Sequence, residues 1–181
     1  EKQKHIIGVQ ANLWTEYVPT YSHVEYMLLP RMAALCEVQW SAAEKKDYEN
    51  FLSRLPQLVE VYDQKQYNYA THVFDITAKM TPDTEEEVLK VVLKTIDNSP
   101  IYYTLDGSEP TVHSTKYTDT VKINQSCTIK AIAIRPTGTS RVFQEEIMTH
   151  KASFKPITML QPINRQYAFD GANTLLDGLK G

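Results

Sequence analysis

Apolar residues near the start of the chain recur at the spacing of a strand and then of helices. Ile6 to Leu13 (IIGVQANL) is a short, mostly apolar run bounded by polar residues, which predicts a buried strand. From Ser22 to Val38 the apolar positions follow a helical period. Pro30 interrupts that stretch, so two short helices are expected there rather than one long one.

A longer amphipathic helix is expected next. Ser41 and Glu44 have the spacing of a capping box, in which the two side chains satisfy free amides at a helix start, so the helix should open there. Its apolar positions share one face: Phe51, Leu52, Leu55, Leu58, Val59 and Tyr62. Trp40, just before this start, is interpreted as a core residue.

The period changes from helical to alternating after Asn68, and residues 71–151 are typical of a series of short strands. In residues 87–94, Leu89, Val91 and Leu93 fall on one face. Six to seven strands at this spacing predict an immunoglobulin-like β-sandwich. The other predicted strands are 101–105, 116–123, 127–134 and 141–149. Beyond Pro156 the pattern is lost, and the tail is expected to start another module.

Composition narrows the function classes. The chain has 181 residues with a net charge of −3, which excludes the basic surface that nucleic-acid binding requires. No apolar run approaches 18 residues, so no membrane span is predicted. The chain begins at Glu1 rather than Met, and we interpret it as part of a longer protein. A disulfide between Cys36 and Cys127 is the less favoured reading, and Cys36 is assigned to the helix core.

Candidate chemistry lies at the end of the first predicted strand. Side chains two apart on a strand share a face, so Trp14 and Glu16 are expected to point the same way, on the polar side of the strand. An indole can cover the apolar face of a sugar ring, and a carboxylate can accept hydrogen bonds from hydroxyls. By itself the pair favours a tryptophan used for packing, because most aromatic side chains serve that purpose.

Three linked motifs favour a ligand-binding role for Trp14 over a packing role. GVQANLWTEY, EYMLLPRMAALCEVQW and the FLSRL helix, in this order, resemble the end of the catalytic barrel of family 20 glycoside hydrolases, the β-N-acetylhexosaminidases. The resemblance implies that Trp14 lines the pocket of the terminal N-acetylhexosamine and that Glu16 holds its outer hydroxyls. PIYYTLDGSEPT, KYTDTVKI and TIKAIAI resemble the domain that follows such barrels, and NTLLDGLKG resembles the opening of a discoidin-type module.

The resemblance therefore implies a mixed α and β chain. Its parts are the last strand and helices of a (β/α)8 barrel (1–65), an immunoglobulin-like β-sandwich (66–152), and a linker with the start of a discoidin-like module (153–181). It also implies an exo-acting, retaining enzyme in which the substrate's own acetamido oxygen attacks the anomeric carbon. The family's catalytic Asp-Glu pair lies on an earlier strand, and no Asp-Glu dipeptide occurs in this chain. The chain alone is predicted to be inactive.

Partners and location follow from the same resemblance. It implies a glycan with terminal N-acetylglucosamine or N-acetylgalactosamine, in the periplasm or at the cell surface, and no cofactor. Metal binding is not predicted, because the five histidines lack paired ligand spacing. Asp106 to Glu109 is interpreted as a plain turn rather than a calcium loop.

Some alternatives stay open. Arg31 and Glu37 could form a buried ion pair or be solvated surface charges. The sandwich could be a non-catalytic module that binds glycan through Tyr102 or Tyr103, or a spacer in which these are ordinary tyrosines. The truncated barrel face could pack against the sandwich or pair with a second copy of the chain.

Overall fold

A computed structural model describes residues 5, 7–136, 138–162, 164, 166 and 171–179. The chain divides into two compact units, Glu1–Val73 and Phe74–Gly181. We call the first the helical unit and the second the sheet unit, and each is described by itself. No helix among the described residues is long and apolar enough to cross a membrane. The module boundaries expected from the sequence remain a prediction.

The helical unit contains α1 (Tyr21–Leu28), α2 (Arg31–Trp40) and α3 (Tyr48–Gln64). The break expected at Pro30 is confirmed, because α1 ends and α2 begins on either side of it. The Arg31 guanidinium donates to the carbonyls of Tyr26 and Met27, both at 2.9 Å, and so satisfies groups that the end of α1 leaves free.

The start predicted for α3 is wrong. The helix begins at Tyr48, and the Asp47 carboxylate caps it by accepting from the amide of Asn50 at 3.1 Å. Ala43–Lys45 forms a single 3₁₀ turn instead. An aspartate directly before the first turn is as good a cap as a serine. Here the helix is capped by Asp47 and not by Ser41. Pro56 lies inside α3, whose buried residues are Leu55 and Tyr62.

The strand predicted for 6–13 is not formed. Ile6 lies outside the described residues, and residues 7–15 have no regular secondary structure and are mostly exposed. A barrel strand is held by ladders to neighbouring strands on both sides, and the described part of the helical unit contains no strand to pair with it. The expected barrel strand therefore remains part of the proposal below.

The segment that follows α3 is hydrogen-bonded to α1. The amide of Asn68 donates to the Glu25 carboxylate at 3.0 Å, and its side chain donates to the carbonyl of Ser22 at 2.9 Å. The amide of Ala70 donates to the carbonyl of Leu29 at 2.9 Å. Ala70 and Leu29 are both buried, so this return segment covers the end of α1.

The sheet unit contains two antiparallel sheets. One has the order β1-β2-β5, and the other has the order β4-β3-β6-β7 with β8 also paired to β6. The strands are β1 (Thr77–Asp83), β2 (Val88–Lys94), β3 (Ile101–Thr104), β4 (Thr115–Lys116), β5 (Val121–Ile123), β6 (Cys127–Arg135), β7 (Gly138–Thr139) and β8 (Phe143–Ile147). Short 3₁₀ helices lie at His72–Phe74 and Gly171–Leu175.

One apolar core draws on both sheets. Leu89 and Val91 are 0% exposed and Leu93 is buried with them, which confirms the face predicted for this strand. Residues of the second sheet join the same cluster: Ile101, Ile129, Ala131, Ala133 and Ile147. Two details differ from expectation. The predicted strand 116–123 is split into β4 and β5, and β1 was not predicted as a strand of its own.

Residues 171–179 pack on the strands of the sheet unit. The amide of Met148, just after β8, donates to the carbonyl of Gly178 at 2.8 Å, and the amide of Phe154 donates to the carbonyl of Leu176 at 2.9 Å. Leu179 packs against the core cluster. Leu179, which lies in the predicted discoidin-like opening, therefore contacts the core of the sheet unit. Lys180 and Gly181 of the predicted discoidin-like opening lie outside the described residues.

Candidate functional site

The two residues predicted to contact a sugar lie on the surface of the helical unit. Trp14 is 74% exposed and Glu16 is exposed as well. Glu16 begins a turn that is closed by a hydrogen bond of 3.0 Å from the amide of Val18 to the carbonyl of Thr15. Because residues 7–15 form no strand here, the shared face of Trp14 and Glu16 stays a prediction. Both side chains are accessible to a ligand.

A hydrogen bond from α2 holds the segment that carries these residues. The side-chain amide of Gln39 donates to the carbonyl of Val9 at 2.7 Å. A cleft of about 560 Å³ lies beside this contact. Its lining residues are Ile7, Gly8, Val9, Val38, Gln39, Trp40 and Lys46.

Trp40, on that cleft, was predicted to be a core residue, and this is wrong. Its side chain is 87% exposed. The described residues around the end of α2 leave an open cleft beside it rather than a packed layer.

A second apolar groove lies between α2 and α3. It has a volume of about 630 Å³, and Met32, Phe51 and Leu58 are among its lining residues. Cys36 also lines it and is exposed, so the prediction of a core cysteine is wrong. The reason is the same as for Trp40, because amphipathic spacing predicts an apolar face but not whether a neighbour fills the space in front of it.

The charged residues of α2 do not pair with each other. Glu37 accepts from the Arg54 guanidinium of α3 at 2.7 Å. Arg31 instead donates to the carbonyls of Tyr26 and Met27 at the end of α1, and its Nη2 lies 3.4 Å from Nε2 of His72. Of the two alternatives left open for Arg31 and Glu37, the ion pair between them is therefore not formed. Sequence reasoning missed Arg54, which has no local spacing relation to Glu37.

The two tyrosines proposed as a sugar platform differ in environment. Tyr103 packs against the core, with its ring centroid 6.5 Å from that of Tyr117 in an edge-on arrangement. Tyr102 lies on the other face of β3, opposite Ile132 on β6 and Lys116 on β4. Tyr103 is thus a packing residue, and Tyr102 alone keeps a face outside the core.

The carboxylates of the turn after β3 form hydrogen bonds and an ion pair within the chain. Asp106 accepts from the hydroxyl and the amide of Ser108 at 2.6 and 3.0 Å, and these bonds hold the pKa of the Asp106 carboxyl below its usual range. Glu109 pairs with Lys130 at 2.5 Å. This is the plain turn that the sequence predicted.

Two family models match the chain. Residues 1–43 match the catalytic domain of glycosyl hydrolase family 20, and residues 91–147 match the Fn3 associated family. The first match contains Trp14, Glu16 and Gln39. The second covers part of β2 and all of β3 to β8.

Relatives of known name agree with the first match. The chain is similar to a beta-hexosaminidase of Porphyromonas gingivalis, with 30% identity over 144 residues, or 76% of this chain. It is also similar to a beta-N-acetylhexosaminidase of Cellulomonas fimi (36% identity, 35% of this chain) and a beta-hexosaminidase of Akkermansia muciniphila (35% identity, 36% of this chain). The matches span only 18%, 13% and 13% of these relatives.

Proposed function

We propose that this chain, a glycosyl hydrolase family 20 sequence by its residues 1–43 and its hexosaminidase relatives, forms one wall of the sugar pocket of a β-N-acetylhexosaminidase. Trp14 covers the apolar face of a terminal N-acetylhexosamine, and Glu16 accepts hydrogen bonds from its outer hydroxyls. The observation that carries this proposal is the placement of an accessible indole and an accessible carboxylate two residues apart within the matched segment.

The proposed reaction is the removal of terminal N-acetylhexosamine from glycans with retention of configuration. The acetamido oxygen of the substrate attacks the anomeric carbon, and an acid of the enzyme protonates the leaving oxygen. This chain supplies binding and orientation, and the acid comes from an earlier part of the catalytic domain. We therefore expect the 181-residue chain to have no hydrolytic activity by itself.

The remaining parts of the proposal concern the fold of the complete protein and its cellular location. Residues 7–15 become the last strand of a (β/α)8 barrel when the rest of that barrel is present. The two sheets of the sheet unit form an immunoglobulin-like sandwich. The whole protein acts on glycans outside the cytoplasm.

Kinetics of the full reading frame that contains this chain test the proposal. It should cleave a chromogenic N-acetylglucosaminide, and Glu16→Gln should lower kcat/KM by about 10- to 100-fold, because the neutral amide accepts hydrogen bonds more weakly than the carboxylate and offers one acceptor oxygen instead of two. Glu60→Gln is the matched control, since Glu60 is an exposed carboxylate on α3. Absence of hydrolysis in the unaltered enzyme, or equal activity of the two variants, would contradict the assignment.

A second function, glycan binding by the sheet unit, is favoured by Tyr102 alone, because its ring lies on the face away from the core. We expect this unit to be a spacer. Calorimetric titration of the 181-residue chain with N-acetylglucosamine oligomers decides between the two. Heat that disappears in Tyr102→Ala would establish binding, and no heat at millimolar sugar would leave the spacer.

A further inference from the structure

One histidine takes part in every hydrogen bond that closes the turn at residues 150–153, just after β8. The amide of Ala152 donates to Nδ1 of His150 at 3.2 Å. The amide of His150 donates to the Ser153 hydroxyl at 2.9 Å, and the amide of Ser153 donates to the carbonyl of His150 at 3.0 Å. The first of these bonds uses the imidazole ring, and it requires that Nδ1 carries no proton.

This turn leads directly into a residue that holds residues 171–179, which we call the tail. Phe154 has a φ of +63°, a left-handed conformation that is uncommon for a bulky residue and that the surrounding structure must maintain. Phe154 is 3% exposed, belongs to the core cluster, and donates its amide to the carbonyl of Leu176 at 2.9 Å. The conformation of the turn therefore affects how the tail is attached to the sheet unit.

We propose that His150 is a pH-sensitive switch for the tail. When the ring takes up a proton, Nδ1 no longer accepts the amide of Ala152, and the turn that precedes Phe154 loses a hydrogen bond. Histidine rings change charge between about pH 5 and 8. The attachment of the tail is therefore strongest above this range and weakens as the pH falls through it. This inference does not rest on the proposed function.

The charged groups in and around the turn do not pair with His150. Lys151 is the next residue in the turn. Lys155, after the turn, pairs with Glu87, and the Asp177 carboxylate in the tail accepts from a backbone amide at 2.9 Å. The loop before β6 contributes an uncharged hydroxyl, which bonds to the residue before His150. Every ion pair of the described residues is formed by other side chains.

Amide hydrogen exchange of the 181-residue chain, followed by NMR at about pH 7.5 and about pH 5.5, tests the proposal. The amides of Phe154 and Met148 are the reporters, because each donates to a carbonyl of the tail. After correction for the intrinsic exchange rate at each pH, their protection should fall about two- to tenfold at the lower pH, as expected for the loss of one hydrogen bond. The amides paired between β3 and β6 should keep their protection. Carboxyl groups ordinarily stay charged at both pH values, so the comparison isolates histidine.

Three variants identify the histidine. In His150→Asn, the side-chain oxygen can accept the same amide two residues further on and does not titrate, so the reporters should stay protected at both pH values. In His150→Ala the acceptor is absent, and protection should be low at both. His113→Asn replaces an exposed histidine of the same unit and is the matched control, which should keep the fall in protection.

Several results would overturn the proposal. One is equal protection of the unaltered chain at the two pH values, and another is a fall that persists in His150→Asn. Low protection of His150→Asn at both pH values would show that the ring acts by packing and not as an acceptor. Full protection of His150→Ala at the higher pH would show that the bond from Ala152 does not support the tail. If His150→Ala also lowers the protection of β3 and β6, the comparison with His150→Asn decides.

Discussion

The two units of the chain differ in how far they bury their apolar side chains. The sheet unit buries its own in a cluster shared by two sheets. The helical unit, among its described residues, buries few and leaves large aromatic side chains exposed: Trp14, Tyr17, Tyr21, Trp40 and Tyr48. Exposed apolar surface of this kind marks a contact with another protein segment or with a ligand. The comparison teaches that the sheet unit encloses an apolar core of its own, whereas the described part of the helical unit leaves much of its apolar surface uncovered.

The largest expected effect is on the free energy of unfolding, when one buried leucine in each unit is truncated to alanine. Leu89→Ala should lower the free energy of unfolding of the sheet unit by about 3 kcal/mol, because Leu89 is fully enclosed. Leu55→Ala in α3 should cost less, about 2 kcal/mol, because Leu55, although only 2% exposed, borders an open groove and its truncation leaves no closed cavity. Urea unfolding followed by residue-resolved hydrogen exchange measures both, with Lys79→Ala on the exposed face of β1 as control. Equal losses would remove the proposed difference between the units.

The next effect concerns an ion pair in the sheet unit. Arg135 donates to both oxygens of Asp97 at 2.5 and 3.0 Å and to the Phe74 carbonyl at 2.6 Å, and the side chains of Arg135 and Asp97 are each 14% exposed. Arg135→Met should cost about 2 kcal/mol in the free energy of unfolding at neutral pH, because it leaves the Asp97 charge without its main partner.

The pH dependence of that cost checks its origin. Burial opposes ionisation of Asp97, but hydrogen bonds from Arg135 and Ser99 outweigh it and hold the pKa of Asp97 well below its usual range. A lowered pKa contributes stability above the unfolded value, near 3.9, and the contribution is lost as the pH falls below it. The gap between the unaltered chain and Arg135→Met should therefore shrink below about pH 4. A gap that does not vary with pH would contradict an electrostatic origin.

The smallest effect tests the attachment of the tail to the sheet unit. Gly178 has a φ of +77°, and an added Cβ would lie 3.3 Å from the Met148 carbonyl oxygen. Gly178→Ala should lower the free energy of unfolding by about 1 to 2 kcal/mol. Gly171→Ala is the matched control, with a φ of +82° and open space around the added atom, so it shows the backbone strain without the contact. Equal losses in thermal unfolding would mean that the contact with Met148 adds nothing.

The parts of the fold that could be predicted from the sequence are those where one face is buried by the chain itself. The alternation of Leu89, Val91 and Leu93 identified β2, because the core lies on that face alone. Pro30 identified the break between α1 and α2 through its missing amide. β1 was missed although Ala78, Met80 and Pro82 alternate with polar residues, because a proline inside a run argues against a strand and suits only an edge strand such as β1.

The parts that could not be predicted depend on partners that a local pattern does not contain. The start of α3 was placed at Ser41 because two potential caps lie close together and only the packed structure selects Asp47. Trp40 and Cys36 were assigned to a core because helical spacing identifies an apolar face, not its occupant. The bond from Gln39 to Val9 has no sequence signature at all, since it joins residues 30 apart.

The most direct test of the central claim is a crystal structure of the full reading frame with N-acetylglucosamine bound. The account predicts the Trp14 indole in van der Waals contact with the sugar ring, about 4 Å away, and a Glu16 oxygen about 2.7 Å from a ring hydroxyl. Both residues should then lie on one face of a strand paired with its barrel neighbours. A bound sugar that touches neither residue, or an unpaired segment 7–15 in the complete enzyme, would contradict the assignment of this chain to the pocket wall.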